Sequence, residues 1–348
     1  MSESFAIDAE LGEALQANEE QIAEQIGAAL SKQVECESEE GKRRALRDAH
    51  PKSHGCVEAE FRVDDNVPPH LAQGVFVPGK SYPAWIRFSN GNPDPTKHDA
   101  KSDIRGMAIK LLDVPGDKIL AEEREARTQD FLLMSSPAFF MDDAARYLRF
   151  SRAIASSNPL MQFMALPALG LSGYRIVQRA KVKIASPLET RYWSAVPYRL
   201  GEGPRKQAVK YSARPQPVPV STAVPSDPVA NFLRETMVKQ LAAGEARFDF
   251  LVQPRKSPAM SVENTMVEWK DDETEAPFIK VATITIPRQQ FDTPERNDFG
   301  EDLSFTPWHA LPAHRPLGAV NRIRRVVYQA ISRKRHDLNT VPRREPGA

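Results

Sequence analysis

The chain has 348 residues, of which 41% are hydrophobic, and its 47 basic and 46 acidic residues leave a net charge of +1. This length and apolar content suffice for one large core or two small ones, and the near-neutral charge argues against a nucleic-acid partner. The two cysteines, Cys36 and Cys56, are too few for a disulfide scaffold. The N-terminus lacks the basic start and apolar run of a signal peptide, so we expect a cytoplasmic protein.

Helical and strand-like patterns follow one another along the chain. Apolar residues at near-helical spacing predict a helix over 8–34, which is a candidate for self-association into a homo-oligomer. A second helical region is predicted over 136–180. Its apolar part is interrupted by Gln162, Pro167, Gly170 and Arg175, which favours a core helix pair over a stable membrane span. Strands are predicted over 57–63, 83–88, 106–112, 129–134, 207–213, 247–252 and 278–286.

Seven or eight short strands around a helical insertion indicate a closed antiparallel barrel, because closure removes exposed strand edges. The proline-rich segment 214–229 is interpreted as a surface loop. We therefore predict an N-terminal helical arm over 1–50, one α+β domain over 51–340 and a tail over 341–348.

The last predicted helix carries a polar face beside an apolar stripe. Pro316 suits its first turn, and Asn321, Arg324, Tyr328 and Arg335 share one face. Ionising a phenol at neutral pH requires about 4 kcal/mol, which a nearby guanidinium and a bound Fe(III) can together supply. Tyr328 is therefore a candidate haem ligand, although a core tyrosine beside a helical arginine explains the pair equally simply.

Five segments in sequence order resemble segments of the haem catalases. The family has Arg-x-x-x-Tyr on its haem-binding helix, with another arginine seven residues later, and Arg324, Tyr328 and Arg335 repeat this spacing. The other four segments lie upstream and span, with the helix, about 280 residues. They are Ser53-His54-Gly55, Ile86-Arg87-Phe88-Ser89, 103–110 and 137–142.

This resemblance implies a catalase-like eight-stranded antiparallel barrel with surrounding helices and a C-terminal haem-ligating helix. It implies haem b as cofactor, Tyr328 as iron ligand and Arg324 as the group that keeps Tyr328 ionised. His54 would be the distal acid/base, hydrogen-bonded by Ser89. The remaining haem contacts would be made by Arg87 and Arg335, on the propionates, and by Tyr147, on the distal side.

Three positions depart from the family pattern. Met134 stands where catalases carry a distal asparagine, Pro51 stands where they carry an arginine three residues before the distal histidine, and Ser53 replaces the usual valine before it. A hydroxyl at the last position resembles the threonine of catalase-related allene oxide synthases.

The sequence therefore predicts a peroxidase related to catalases that acts on hydrogen peroxide or organic hydroperoxides. The alternatives are an isomerase of fatty acid hydroperoxides and a haem-binding protein without turnover. The basic C-terminal segment 322–344 is interpreted as propionate ligands plus a solvated face, rather than as a nucleic-acid or membrane patch.

Overall fold

The computed structural model describes residues 6–41, 44–156, 158–271, 274–343 and 345–346. Nine strands in this part of the chain form one antiparallel sheet. In chain order they are β1 (Ser53–Val63), β2 (Ser81–Asn90), β3 (Arg105–Leu111), β4 (Gln129–Met134), β5 (Tyr192–Trp193), β6 (Tyr198–Leu200), β7 (Gln207–Pro215), β8 (Ala246–Pro254) and β9 (Ile279–Ile286).

The sheet closes into the predicted eight-stranded barrel. Strands β1 to β5 are linked to β7, β8 and β9 because the two-residue strand β5 pairs with β4 on one side and with β7 on the other. The ninth strand, β6, adds to the outer edge of β7 and pairs through Tyr198 and Val209. The predicted α+β class and barrel are confirmed, and five of the seven predicted strands lie within observed strands. Of the other two, 106–112 runs one residue past the end of β3, and 278–286 starts one residue before β9.

Aromatic side chains fill the barrel interior. Phe61, Phe76, Phe131, Tyr211 and Phe250 are almost fully buried, and their ring centroids lie 5.0 to 6.5 Å apart. These spacings are favourable for aromatic pairs, so the barrel is a packed core rather than a channel.

Seven helices surround the barrel in the described ranges. They are α1 (Glu19–Gly41), α2 (Ala144–Ile154), α3 (Pro159–Phe163), α4 (Ala165–Ala180), α5 (Phe232–Ala243), α6 (Pro294–Asp302) and α7 (Ala319–Asn339). The predicted N-terminal helix begins eleven residues later than expected, because residues 9–11 form a separate 3₁₀ turn that ends at Gly12 in the left-handed region. The predicted helix over 136–180 is broken into α2, α3 and α4.

Helix α7 begins at Ala319 and not at Pro316. Pro316 forms an isolated β-bridge with Tyr198, and Gly318 at φ 85° turns the chain into the helix. A Cβ atom at residue 318 would lie 2.6 Å from the carbonyl oxygen of Val262, so glycine is required at this turn.

The N-terminal segment packs on α7. Ala23, Ile26 and Leu30 of α1 share an apolar cluster with Ile323 and Val327 of α7. The separation of an arm at residue 50 from a domain at residue 51 stays a prediction.

An ion-pair network adds a second connection to the N-terminal segment. The buried Arg322 guanidinium donates to Glu13 at 2.7 Å, to Glu19 at 2.6 Å and to Glu263 at 3.0 Å. Removing one partner of such a buried network typically lowers the free energy of unfolding by about 3–5 kcal/mol. The network therefore holds the segment before α1 firmly against α7, the helix that carries Tyr328.

Candidate functional site

Helix α7 presents Arg324 and Tyr328 one turn apart. The Arg324 guanidinium lies 4.9 Å from the centre of the Phe139 ring, and its Nη1 is buried without a hydrogen-bond partner among the described residues. Burial raises the pKa of Tyr328 and Arg324 opposes this effect, while Asp48 raises the pKa further. The phenol is therefore neutral unless another cation approaches it, as an axial ligand role would require.

A histidine on the loop before β1 faces the same region. His50 has φ 59°, which is uncommon for a residue with a side chain, and its Nδ1 lies 3.0 Å from Ser89 Oγ. A Cβ atom at Gly106 would lie 2.5 Å from that nitrogen, so the imidazole rests directly on the backbone of β3. Burial lowers the pKa of His50 to about 3, assisted by Arg87, Arg324 and Arg47, so the ring is neutral at physiological pH.

The predicted hydrogen bond between Ser89 and His54 is wrong. His54 Nε2 lies 2.7 Å from Asn90 Oδ1, and its Nδ1 lies 3.9 Å from an oxygen of Asp99, in a buried polar cluster that also holds Lys52. The pairing of β1 with β2 shifts register between Ser53 and Gly55 and leaves His54 without a Cα partner. Because of this bulge, His54 points towards Asn90 and Asp99, and the Ser89 hydroxyl pairs with His50 instead.

Ser53, the residue before His54, does not contact the imidazole through a hydrogen bond within the described residues. The Ser53 carbonyl accepts a hydrogen bond from Arg234 at 2.9 Å, and no hydrogen bond joins Ser53 to His54 in the described ranges. If His50 is the distal residue, the residue before it is Ala49, and the arginine three residues before it is Arg47.

Three arginines gather around Glu301 beside His50, and two of them contact its carboxylate. Arg47 Nη1 lies 2.7 Å and Arg87 Nη2 lies 2.9 Å from the two oxygens of Glu301, and Arg335 donates to the carbonyls of Glu301 and Leu303. Burial alone would raise the pKa of Glu301, but Arg87 and Arg47 lower it to about 2. Burial also lowers the pKa of Arg335 to about 10. After Glu301 is counted, the cluster retains two positive charges.

Two tyrosines and a methionine lie near these groups. Tyr147 of α2 and Tyr198 of β6 are surrounded by protein, which raises the pKa of each, and both lie within electrostatic range of Arg324 and Tyr328. The Tyr198 hydroxyl is buried without a partner among the described residues. Met134 pairs in register with Gly106, the residue against which His50 rests.

This donor set fits a haem. A phenol with a guanidinium one turn away would suit an iron ligand, and a neutral imidazole held by a hydroxyl would suit acid–base work on a peroxide. Two uncompensated positive charges from arginines match two propionates. The unpartnered Arg324 Nη1 and Arg87 Nε are buried donor atoms for which the described protein supplies no acceptor.

A second cluster of ionisable groups is interpreted as structural. Glu123, His309 and Glu345 have ligand atoms close enough to hold a metal ion. Lys110 Nζ lies 2.7 Å from Glu345, and Arg343 contacts both Glu123 and His309. Lys110 also pairs with Asp130 at 2.8 Å, so every carboxylate of the cluster has a cationic partner and the cluster fixes the described part of the C-terminal tail.

The geometry defines a barrel protein of the catalase type. The chain superimposes on a fungal catalase with a TM-score of 0.63 at 16% identity over 97% of this chain and 66% of that one. A bacterial catalase gives 0.64 at 15% over 99% and 67%, and catalase A from Saccharomyces cerevisiae gives 0.63 at 16% over 98% and 70%. The chain thus has the catalase fold and spans about two thirds of the length of these enzymes.

Sequence similarity supports the same relationship. No family model matches the chain. A protein of Mycolicibacterium paratuberculosis named catalase-related peroxidase is 29% identical over 269 residues, which cover 75% of this chain and 80% of that protein. The chain is thus similar in sequence to a catalase-related peroxidase and in fold to catalases.

Sequence reasoning missed Arg47, His50 and Glu301. A signal for two of them was present, because the family pattern places an arginine three residues before the distal histidine, and Arg47-x-x-His50 satisfies it. The Ser53-His54-Gly55 segment resembles the same family segment, so the sequence offers two histidines four residues apart for one role. Nothing in the sequence pattern singled out Glu301.

Proposed function

We propose that the chain is a haem-dependent enzyme that breaks down hydrogen peroxide or organic hydroperoxides. One observation carries this proposal: the α7 pair Arg324–Tyr328, the His50–Ser89 pair and three arginines meet at one site. The similarity to a catalase-related peroxidase supports it.

In this proposal Tyr328 binds the haem iron, Arg324 keeps the phenol ionised, and Arg47, Arg87 and Arg335 bind the propionates. When bound, haem supplies an iron centre that accepts a peroxide and exchanges electrons with it. The neutral His50 ring takes a proton from the inner peroxide oxygen and returns it to the outer one. Ser89, at 3.0 Å from Nδ1, orients the ring for both transfers.

The isomerase alternative depended on a hydroxyl before the distal histidine. With His50 in the distal role, that position is Ala49, which has no hydroxyl, so the observation that favoured an isomerase no longer applies. Met134 stands where catalases carry a distal asparagine, and this difference favours the second alternative, a haem-binding protein without turnover. Absence of peroxide breakdown by the haem complex would support that alternative.

The two histidines form a matched pair of test variants. His50→Ala should retain the Soret band after haem supply and lose roughly a hundredfold or more in the rate of peroxide breakdown. His54→Ala should keep most of the rate per folded molecule, because His54 contacts Asn90 and Asp99 rather than Ser89. The reverse ranking would restore His54 as the acid/base and refute the assignment of His50.

The haem ligand is tested by the spectrum. Tyr328→Phe should shift the absorption spectrum of the haem complex strongly, whereas Tyr147→Phe serves as a control that keeps the ligand. An unchanged spectrum in Tyr328→Phe would show that another group binds the iron. Oxygen release from hydrogen peroxide identifies catalase activity, and consumption of a reducing co-substrate identifies peroxidase activity.

A further inference from the structure

Large apolar side chains are concentrated on the outer surface of α3 and α4. Thirteen large hydrophobic residues are exposed in the described chain, and seven of them lie between Leu160 and Tyr174. Leu160 is 74% exposed, Phe163 65% and Leu171 76%. A clustered apolar patch of this kind marks a binding surface, whereas single exposed residues do not.

The inner side of the same helices is built from small residues. Ala165, Ala168, Gly173 and Ala180 of α4 are buried together with one larger residue, Leu169. A Cβ atom at residue 173 would lie 2.7 Å from the Phe140 carbonyl oxygen. The large residues therefore cannot turn inward without separating α4 from α2 and the segment that contains Phe140. A helix that served only the core would have the opposite distribution.

The charged residues within 144–188 are all positive, whereas Asp142, Asp143 and Glu189 flank this segment. Residues 144–188 include seven arginines and lysines and no aspartate or glutamate, in a chain whose charges otherwise nearly cancel. Arg149, Arg175, Arg179, Lys181 and Lys183 are exposed, and no carboxylate forms an ion pair with them in the described part of the chain. Apolar side chains flanked by unpaired cations are complementary to an anionic lipid surface.

The backbone favours lying on a membrane over crossing it. One helical stretch, Leu160–Ala180, is long and apolar enough to span a bilayer by composition alone. However, Gly170 interrupts it at φ 62° and ψ 175°, and Arg146 of α2 donates to the carbonyls of Ala168 and Leu169 at the break. The Arg146 guanidinium thus supplies the hydrogen bonds that the backbone carbonyls lack at the break, and it holds α4 against α2.

We propose that α3 and α4 form a docking surface for anionic membranes. In this arrangement Leu160, Phe163 and Leu171 enter the acyl boundary, while Arg175, Arg179 and Lys181 contact lipid phosphates. This surface concerns where the protein resides, and it does not depend on whether the chain binds haem.

Vesicle flotation of the full chain tests the proposal. Wild type should float with vesicles of phosphatidylcholine containing about 30 mol% phosphatidylglycerol, and much less with pure phosphatidylcholine, because cations contribute to binding. The triple variant Arg175→Gln/Arg179→Gln/Lys181→Gln should bind the anionic vesicles roughly a hundredfold more weakly. Failure of wild type to float with the anionic vesicles would overturn the proposal.

The apolar contribution is tested with a matched control. Leu160→Gln/Phe163→Gln/Leu171→Gln should abolish flotation, while Val220→Gln/Val224→Gln/Val229→Gln, which alters three exposed apolar residues outside the patch, should float like wild type. Light scattering of the same variants distinguishes a second copy of the chain as the occupant. If the patch variant changes the oligomeric mass and still floats, the surface is a self-association interface and the proposal is wrong.

Discussion

Replacing Glu301 by glutamine tests how the arginine cluster is balanced. The pKa of this carboxyl lies at about 2 instead of 4.5, although burial by itself would raise it, because Arg87 and Arg47 stabilise the ionised form. A difference of about 2.5 units corresponds to roughly 3 kcal/mol of stabilisation at neutral pH. Because the folded pKa is lowered, this contribution is complete above about pH 4.5 and is lost as the pH falls towards 2.

The expected loss depends on whether haem is bound. Without haem, Glu301→Gln leaves Arg47 and Arg87 without their carboxylate partner, so urea unfolding should show a loss of about 3 kcal/mol. In the haem complex two propionates supply anions to the same guanidinium groups, so the loss should fall to about 1 kcal/mol. The difference of about 2 kcal/mol requires the variant to bind haem roughly 30-fold more tightly.

Two measurements check this cycle: urea unfolding of both forms and haem transfer to a competing apoprotein. Glu245→Gln is the control, because its pair with Arg247 is about half exposed and should contribute less than about 1 kcal/mol. Equal losses with and without haem would refute the proposal that propionates bind at this cluster. No loss without haem would refute the electrostatic reasoning itself.

Three further results are expected. Burial and nearby arginines lower the pKa of His50 to about 3. The rate of peroxide breakdown should therefore be nearly constant around neutral pH and fall only as the pH approaches 3. A loss of rate centred near pH 6.5 would mean that His50 titrates as an ordinary histidine. Burial raises the pKa of Asp48 to about 6, so the folded protein binds this proton more tightly than the unfolded chain, and the free energy of unfolding declines as the pH rises from about 4 to 6. Asp48→Asn should therefore stabilise the protein at neutral pH by about 1–3 kcal/mol, as measured by urea unfolding. Unchanged stability would contradict this reasoning. Gly106→Ala would place a methyl group 2.5 Å from His50 Nδ1 and 2.7 Å from Ser89 Oγ. Kinetic assays should therefore show a large loss of the rate of peroxide breakdown, with the Soret band retained. A normal rate would show that contact between His50 and β3 is not needed for activity.

Much of the fold could be predicted from local patterns. Alternation over 278–286 predicted β9, because a strand with one face in a core repeats every second residue. A strand-like run over 207–213 predicted β7, which is buried on both faces along most of its length. The two-residue strand β5, which closes the barrel, is too short to produce any such pattern. Its pairing with β4 and β7 depends on contacts between distant segments.

The sequence by itself determined the spacing of Arg324, Tyr328 and Arg335, because a helix of 3.6 residues per turn places these positions on one face wherever it packs. Only the tertiary structure distinguished the contacts of the two histidines that lie four residues apart. A register shift at the start of β1 directs His54 towards Asn90 and leaves Ser89 to His50. Strand register is set by pairing with β2 and not by the residues of β1 alone, so no local pattern could make that distinction.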